Sequence, residues 1–192
     1  MENKKTLDPA KFFFKIIISI IVLPIIILII YFLVTTIDLR SAEKRFGWEP
    51  YISENGNFTI LMPELPSEKK SGNTHIFISR DKHFTYFLSY EKYSEEYINY
   101  YTDYLLNEFQ NNLISEGGTI VINEDIAFDG HLGRKFRIRE SDGRQGEVHP
   151  NLIEGRVYKI YNRIYLIYIK YPLPWALSDE IEAYLNSFEI LD

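Results

Sequence analysis

From Ile16 to Val34 the chain runs nineteen residues without a charge, IIISIIVLPIIILIIYFLV. Sixteen of them are Ile, Val, Leu or Phe, and the others are Ser19, Pro24 and Tyr31. As a helix rising ~1.5 Å per residue, the run is roughly 28 Å long and matches the ~30 Å hydrocarbon core of a bilayer. At roughly −0.3 to −0.6 kcal/mol each, its apolar residues favour insertion by up to about 5–10 kcal/mol. Phe12–Phe14 and Thr35–Ile37 lengthen the span if the helix tilts, and Lys15 can snorkel to the interface. Pro24 reads as a modest kink or as a hinge. The run exceeds the ~7–15 residues of a signal-peptide core, and the following TTIDLRSAEKRF has no small-residue cleavage pattern. An uncleaved signal anchor is therefore expected.

Lys4, Lys5, Lys11 and Lys15 precede the run, and Arg40, Lys44 and Arg45 follow it. This bias places the N-terminus in the cytoplasm and the bulk of the chain outside, at the cell membrane. The expected organisation is a cytoplasmic leader over 1–11, a transmembrane helix over 12–37, a charged stalk over 38–45 and an extracytoplasmic domain over 46–192. Some 145 residues beyond the span are enough for one domain with its own core.

Against 21 Lys and Arg stand 27 Asp and Glu, a formal charge of −6. That balance argues against nucleic acid as a partner. Cysteine is absent, which excludes disulfides, thiolate zinc sites, iron–sulfur clusters and a Cys nucleophile.

Strand-like stretches are expected at Phe58–Met62, Thr74–Ser79 and Phe84–Tyr90, with a turn at Asp81-Lys82. Ser94 is an N-cap followed by Glu95 and Glu96, and Ile98, Tyr101, Leu105, Phe109 and Leu113 mark one helical face up to a stop at Gly117. Thr119–Phe128 and Leu132–Arg139 read as a hairpin around Asp129-Gly130. After a polar loop over Glu140–Asn151, Ile153–Tyr161 and Ile164–Tyr171 read as a second hairpin around Asn162-Arg163. Ser178 opens a final helix that buries Ile181, Tyr184, Leu185 and Phe188. Three strands, a helix, four strands and a helix make an α+β domain, a mainly antiparallel sheet packed with two helices.

Four segments carry a family resemblance: Trp48-Glu-Pro-Tyr51; Asn57-Phe-Thr-Ile-Leu-Met-Pro63 with Pro66; Asn162-Arg-Ile-Tyr165; and Asn186-Ser-Phe188. Together they resemble uncharacterised membrane-anchored bacterial proteins whose domain is similar to the α-β-α sandwich of PsbP-type extrinsic photosystem proteins. The resemblance implies a PsbP-like sandwich over Trp48–Asp192. It carries no catalytic residue, and Glu64 stands where the family's Met-Pro-Gly-x-Pro turn has glycine.

Walker, dinucleotide, nucleophile-elbow and zincin motifs are all missing, so no catalytic residue, metal ligand or cofactor is assigned. His75 and His83 sit on successive strands, where they could face one another. Glu124, Asp125, Asp129 and His131 gather near one turn, and Asp129 with His131 is the pair an enzyme would use. Glu140–Glu147 has a calcium-loop flavour without the spacing. Lys135, Arg137 and Arg139 alternate on one strand face, Phe136 and Ile138 on the other, and Arg134 adds to the cluster. These four cations are the candidate site for an anionic lipid, a wall polymer or an acidic partner, unless cross-strand acids such as Glu154 match them. Fifteen tyrosines are many for this length, and Tyr93, Tyr97, Tyr100, Tyr101 and Tyr104 crowd one stretch. They either pack a helix on the sheet or form a binding surface.

The expected function is that of a single-pass, membrane-anchored accessory or interaction protein. Its partners would be the bilayer and a protein or polyanionic component of the envelope. A membrane-bound enzyme without a recognised motif, or an assembly subunit packing through its span, are the alternatives.

Overall fold

Ten strands and three α-helices occupy residues 45–114, 118–140, 150–175 and 179–191, which a computed structural model describes. The expected leader, span and almost all of the stalk lie outside the described residues, as do 141–149 of the polar loop, Gly117 and Ser178. Among the described residues no helix is long and apolar enough to cross a membrane.

In chain order the strands are β1 (Glu49–Ser53), β2 (Phe58–Met62), β3 (Ser67–Ser71), β4 (Thr74–Arg80) and β5 (Thr85–Lys92). Helices α1 (Glu95–Tyr100) and α2 (Thr102–Asn111) come next. Then follow β6 (Thr119–Phe128), β7 (His131–Arg139), β8 (Asn151–Ile160), β9 (Arg163–Pro172), α3 (Asp179–Asn186) and β10 (Glu189–Ile190). The large sheet runs β3-β4-β5-β9-β8-β7-β6 and the small one β1-β2-β10, with antiparallel pairing throughout. The α+β class expected from the sequence is thus the observed one.

Tight turns set the registers. Asp129 and Gly130 both have positive φ, 47° and 79°, as a two-residue hairpin requires. At the next hairpin the turn falls one residue earlier than expected, on Tyr161-Asn162, with Tyr161 itself at φ 51°. Asp81 braces the β4–β5 connection: its carboxylate accepts from the His83 and Phe84 amides at 2.9 and 3.0 Å and from the Tyr86 hydroxyl at 3.2 Å.

The large sheet is covered on both faces. One face packs on the small sheet and α3 around Phe58, Phe77, Tyr90, Tyr165 and Phe188, whose rings meet at 5.4–6.3 Å. Ile181, Tyr184 and Leu185 of α3 are buried as expected, and so is Phe188, which lies two residues past the helix end. Ser187 ties the layers by accepting from the Leu61 amide at 3.0 Å. The other face carries Phe136, Ile138, Ile153, Val157, Ile164 and Leu166, covered by Ile98, Leu105 and Leu106 of α1 and α2. Those three aliphatic side chains contribute roughly 1.5–3 kcal/mol each.

The first helix is not continuous. Tyr101 takes φ −108° and ψ 20°, outside the helical region, and the helix restarts at Thr102. The Thr102 hydroxyl donates to the Ile98 carbonyl at 2.6 Å. The break turns Tyr101 away from the sheet, leaving it 41% exposed where one unbroken helical face would bury it.

Candidate functional site

The basic strand β7 divides its cations between two faces. Arg134 lies on the side of Phe136 and donates to Asp125 at 3.1 Å and to Asn107 of α2. Lys135 and Arg137 lie on the opposite side, beneath α3. Arg137 donates to Glu154 Oε2 from Nε at 2.9 Å and from Nη2 at 2.7 Å, and the Tyr171 hydroxyl donates to the same oxygen at 3.1 Å. Lys135 reaches Glu154 at 3.9 Å and Glu182 at 3.4 Å. The Glu154 side chain is only 2% exposed, so this carboxylate is an internal counter-charge for the stripe. Burial pulls the Arg137 guanidinium down, but the hydrogen bonds and charge of Glu154 outweigh it and hold the group above its ordinary range. Arg139 is exposed at the strand end. Of the four candidate cations, three are therefore already matched by carboxylates, through the cross-strand Glu154 and through Asp125 and Glu182.

The histidines do not converge. His75 stacks on Tyr90 at 4.7 Å, whereas His83 stacks on Trp175 at 4.4 Å. His131 packs edge-on against Tyr161 at 5.1 Å, and Asp129 is an exposed turn residue beside it. Among the described residues no group of three His, Asp or Glu could hold a metal ion.

The tyrosine stretch is the exposed feature. Tyr97, Tyr100, Tyr101 and Tyr104 are 43%, 80%, 41% and 57% exposed. They touch in series: Tyr93–Tyr97 at 5.7 Å, Tyr97–Tyr101 at 4.7 Å, Tyr100–Tyr101 at 4.7 Å and Tyr101–Tyr104 at 6.3 Å. Tyr93 is the half-buried root of this ladder, and burial together with Glu91 pushes its hydroxyl well above the ordinary tyrosine range. Spacings of three and four residues bring Tyr93, Tyr97, Tyr101 and Tyr104 side by side along the helices. Glu95, Glu96, Asp103 and Glu108 lie in the same stretch, all exposed, and among the described residues none forms an ion pair; residues 93–111 contain no Lys or Arg. At the margin, Lys159 donates to Asn99 at 2.9 Å.

Such a surface offers π-faces, hydroxyls and uncompensated negative charge. Aromatic faces attract guanidinium and ammonium groups through their quadrupole, and neighbouring carboxylates strengthen that attraction. The crowding of tyrosines is visible in the sequence, and the break at Tyr101 adds that residue to the exposed set.

No known family model matches the chain, and no curated protein does. Several solved structures are similar to parts of it, among them the following three. One is a Bacteroides thetaiotaomicron VPI-5482 protein, 12% identical over 75% of this chain and 48% of its own, with TM-score 0.46. A second is the cyanobacterial PsbP, CyanoP, of Synechocystis sp. PCC 6803, 10% identical over 74% of this chain and 92% of its own, with TM-score 0.49. The third is PA94, a Pseudomonas aeruginosa protein of unknown function, 11% identical over 66% of this chain and 84% of its own, with TM-score 0.38. This chain thus spans about half the length of the Bacteroides protein.

Proposed function

We propose that the chain is a membrane-tethered interaction protein whose α+β domain docks a basic segment of a partner protein on the tyrosine ladder of α1 and α2. The observation that carries this reading is the ladder itself: four exposed tyrosines in serial contact, with four carboxylates in the same stretch that form no ion pair among the described residues, and no Lys or Arg between residues 93 and 111. Tyrosine supplies large contact area at low conformational cost, and arginine or lysine is its electrostatic complement. A polyanionic wall polymer or an anionic membrane surface would be repelled by the same carboxylates.

The tether is the apolar run Ile16–Val34, with the N-terminus cytoplasmic and the domain outside, and the PsbP-type resemblance of its sequence motifs belongs to the same reading. Confinement to the bilayer raises the effective concentration toward partners there, so contacts of modest affinity suffice. The experiment is photocrosslinking from a benzoylphenylalanine at Tyr100 in the native membrane, with the same group at Ser67 on β3 as control. The expected product joins Tyr100 to a Lys- or Arg-rich segment of one protein. Crosslinks equal from the two positions, or a captured segment without basic residues, would refute the proposal.

A further inference from the structure

Away from the tyrosine face, the β3–β4 and β8–β9 turns and the β1–β2 connection frame an open cleft of about 410 Å³, within the range of small-molecule sites. Lys70, Lys92, Arg163, His75, Asn55 and Asn73 line it, with Tyr90 between them and no carboxylate among the lining residues. The registers explain the gathering of charge. Lys70 pairs with His75 across β3–β4, His75 with Tyr90 across β4–β5, and Lys92 with Arg163 across β5–β9. Lys92 and Arg163 are thus like charges directly opposite in a ladder, a destabilising arrangement that a folded protein ordinarily relieves with an acid. Of the nearby acids, Glu91 accepts from Thr74 at 2.9 Å, and Glu68 meets Nδ1 of His75 in the cleft lining at 3.4 Å, leaving the lysines and Arg163 without a carboxylate. Among the described residues no carboxylate forms an ion pair with Lys70, Lys92 or Arg163.

Arg163 is held in place without being neutralised. It donates to the Gly56 carbonyl at 3.4 Å, the Asn55 carbonyl at 3.3 Å and the Tyr165 hydroxyl at 3.3 Å, and lies 5.7 Å from the centre of the Tyr90 ring. Tyr165 in turn donates to the Gly56 carbonyl at 2.7 Å, which fixes the β1–β2 connection as one wall of the cleft. These acceptors are neutral, and the buried Arg163 Nε has no acceptor among the described residues.

We propose that this cleft binds a phosphate group. Two lysine ammoniums, a positioned guanidinium and two amides offer donors in several directions, which suits the tetrahedral spread of phosphate oxygens better than a flat carboxylate. The phosphate belongs either to a small soluble compound or to a phospholipid headgroup. Binding neutralises the Lys92–Arg163 repulsion, so the site is kept unpaired in the free protein at a cost in stability.

The test is calorimetric titration of the full chain, in nanodiscs of phosphatidylcholine, with inorganic pyrophosphate. Saturable binding is expected, weakened about tenfold by K92Q and similarly by K70Q. Thermal unfolding without ligand should leave K92Q as stable as the native chain or slightly more so, which separates lost binding from lost fold. Repeating the titration with phosphatidylglycerol in the nanodiscs identifies the source. Competition assigns the site to a headgroup, and undiminished binding assigns it to a soluble phosphoryl compound. Absence of saturable binding, equal affinity for citrate, or binding indifferent to both lysine substitutions would overturn the proposal. Alanine at Tyr100 and Tyr104 should leave pyrophosphate binding unchanged, so this site can fail without the tyrosine face failing, and the reverse.

Discussion

Arg137 holds Glu154 through two N–H groups on one carboxylate oxygen, at 2.9 and 2.7 Å, inside the layer between the large sheet and α3. The guanidinium is about one-third exposed while the carboxylate is almost wholly buried. The pair therefore stabilises less than a fully enclosed one, but replacing the carboxylate takes from Arg137 and Lys135 their shared counter-charge. E154Q should cost about 2–3 kcal/mol, and the double variant R137M/E154M should recover much of that loss. Denaturant unfolding followed by tryptophan fluorescence measures both, since Trp48 is buried in the same core. A double variant less stable than E154Q alone would contradict this account.

Alkaline pH should unfold the domain in a defined window. Burial raises the hydroxyl pKa of Tyr86, Tyr171 and Tyr184 well above the ordinary range, and burial with the charge of Glu140 pushes Tyr168 up to about 12. A group whose pKa is higher folded than unfolded stabilises fully below its unfolded value. That stability is lost as pH rises toward the folded value. Stability should hold to about pH 10 and fall between about 10 and 12, with Tyr168 alone accounting for roughly 2–3 kcal/mol. Circular dichroism against pH checks this, and Y168F should shift the midpoint upward.

Asp81 is exposed, yet its carboxylate accepts two backbone amides and the hydroxyl of the fully buried Tyr86. D81A should cost about 1–3 kcal/mol by leaving these donors unsatisfied. D81N, which retains an acceptor, should cost less. Thermal melts of the two variants give the comparison.

Gly155 sits in β8 between Phe136 of β7 and Tyr168 of β9. A Cβ there would lie 2.5 Å from the Ile167 carbonyl oxygen and 2.7 Å from Phe136 Cζ. The first contact is backbone in the central β8–β9 ladder and cannot turn aside. G155A should destabilise by about 3 kcal/mol or more and reduce the folded yield in expression.

Strand β5 was legible because Tyr86, Leu88 and Tyr90 alternate against Thr85 and Ser89, and β2 and β9 because they are short or near-continuous apolar runs, as strands buried on both faces are. Strand β3, Ser-Glu-Lys-Lys-Ser, is exposed at every position and has no apolar period to read. It exists through pairing with β4, and its charges suit an edge. The two-residue β10 is likewise held by β2 rather than by its own pattern. Tyr101 misled for a related reason. Its spacing from Ile98 and Leu105 is helical, but the break at that residue rotates it outward. The basic stripe was readable, and so was Glu154 as its match. The cleft was not, because Lys70, Lys92 and Arg163 are distant in sequence and meet only through hairpin registers.

The central claim is that the α1–α2 tyrosines receive a basic partner segment. It is tested most directly by titrating the full chain, in neutral nanodiscs, with a fluorescent arginine-rich peptide and a glutamate-rich control. The account predicts saturable, salt-weakened binding of the basic peptide alone, reduced at least tenfold by Y100A/Y104A and also by E95Q/E96Q, with the melting temperature unchanged. Equal binding of the two peptides, or affinity for the basic one that survives the double tyrosine substitution, would contradict it.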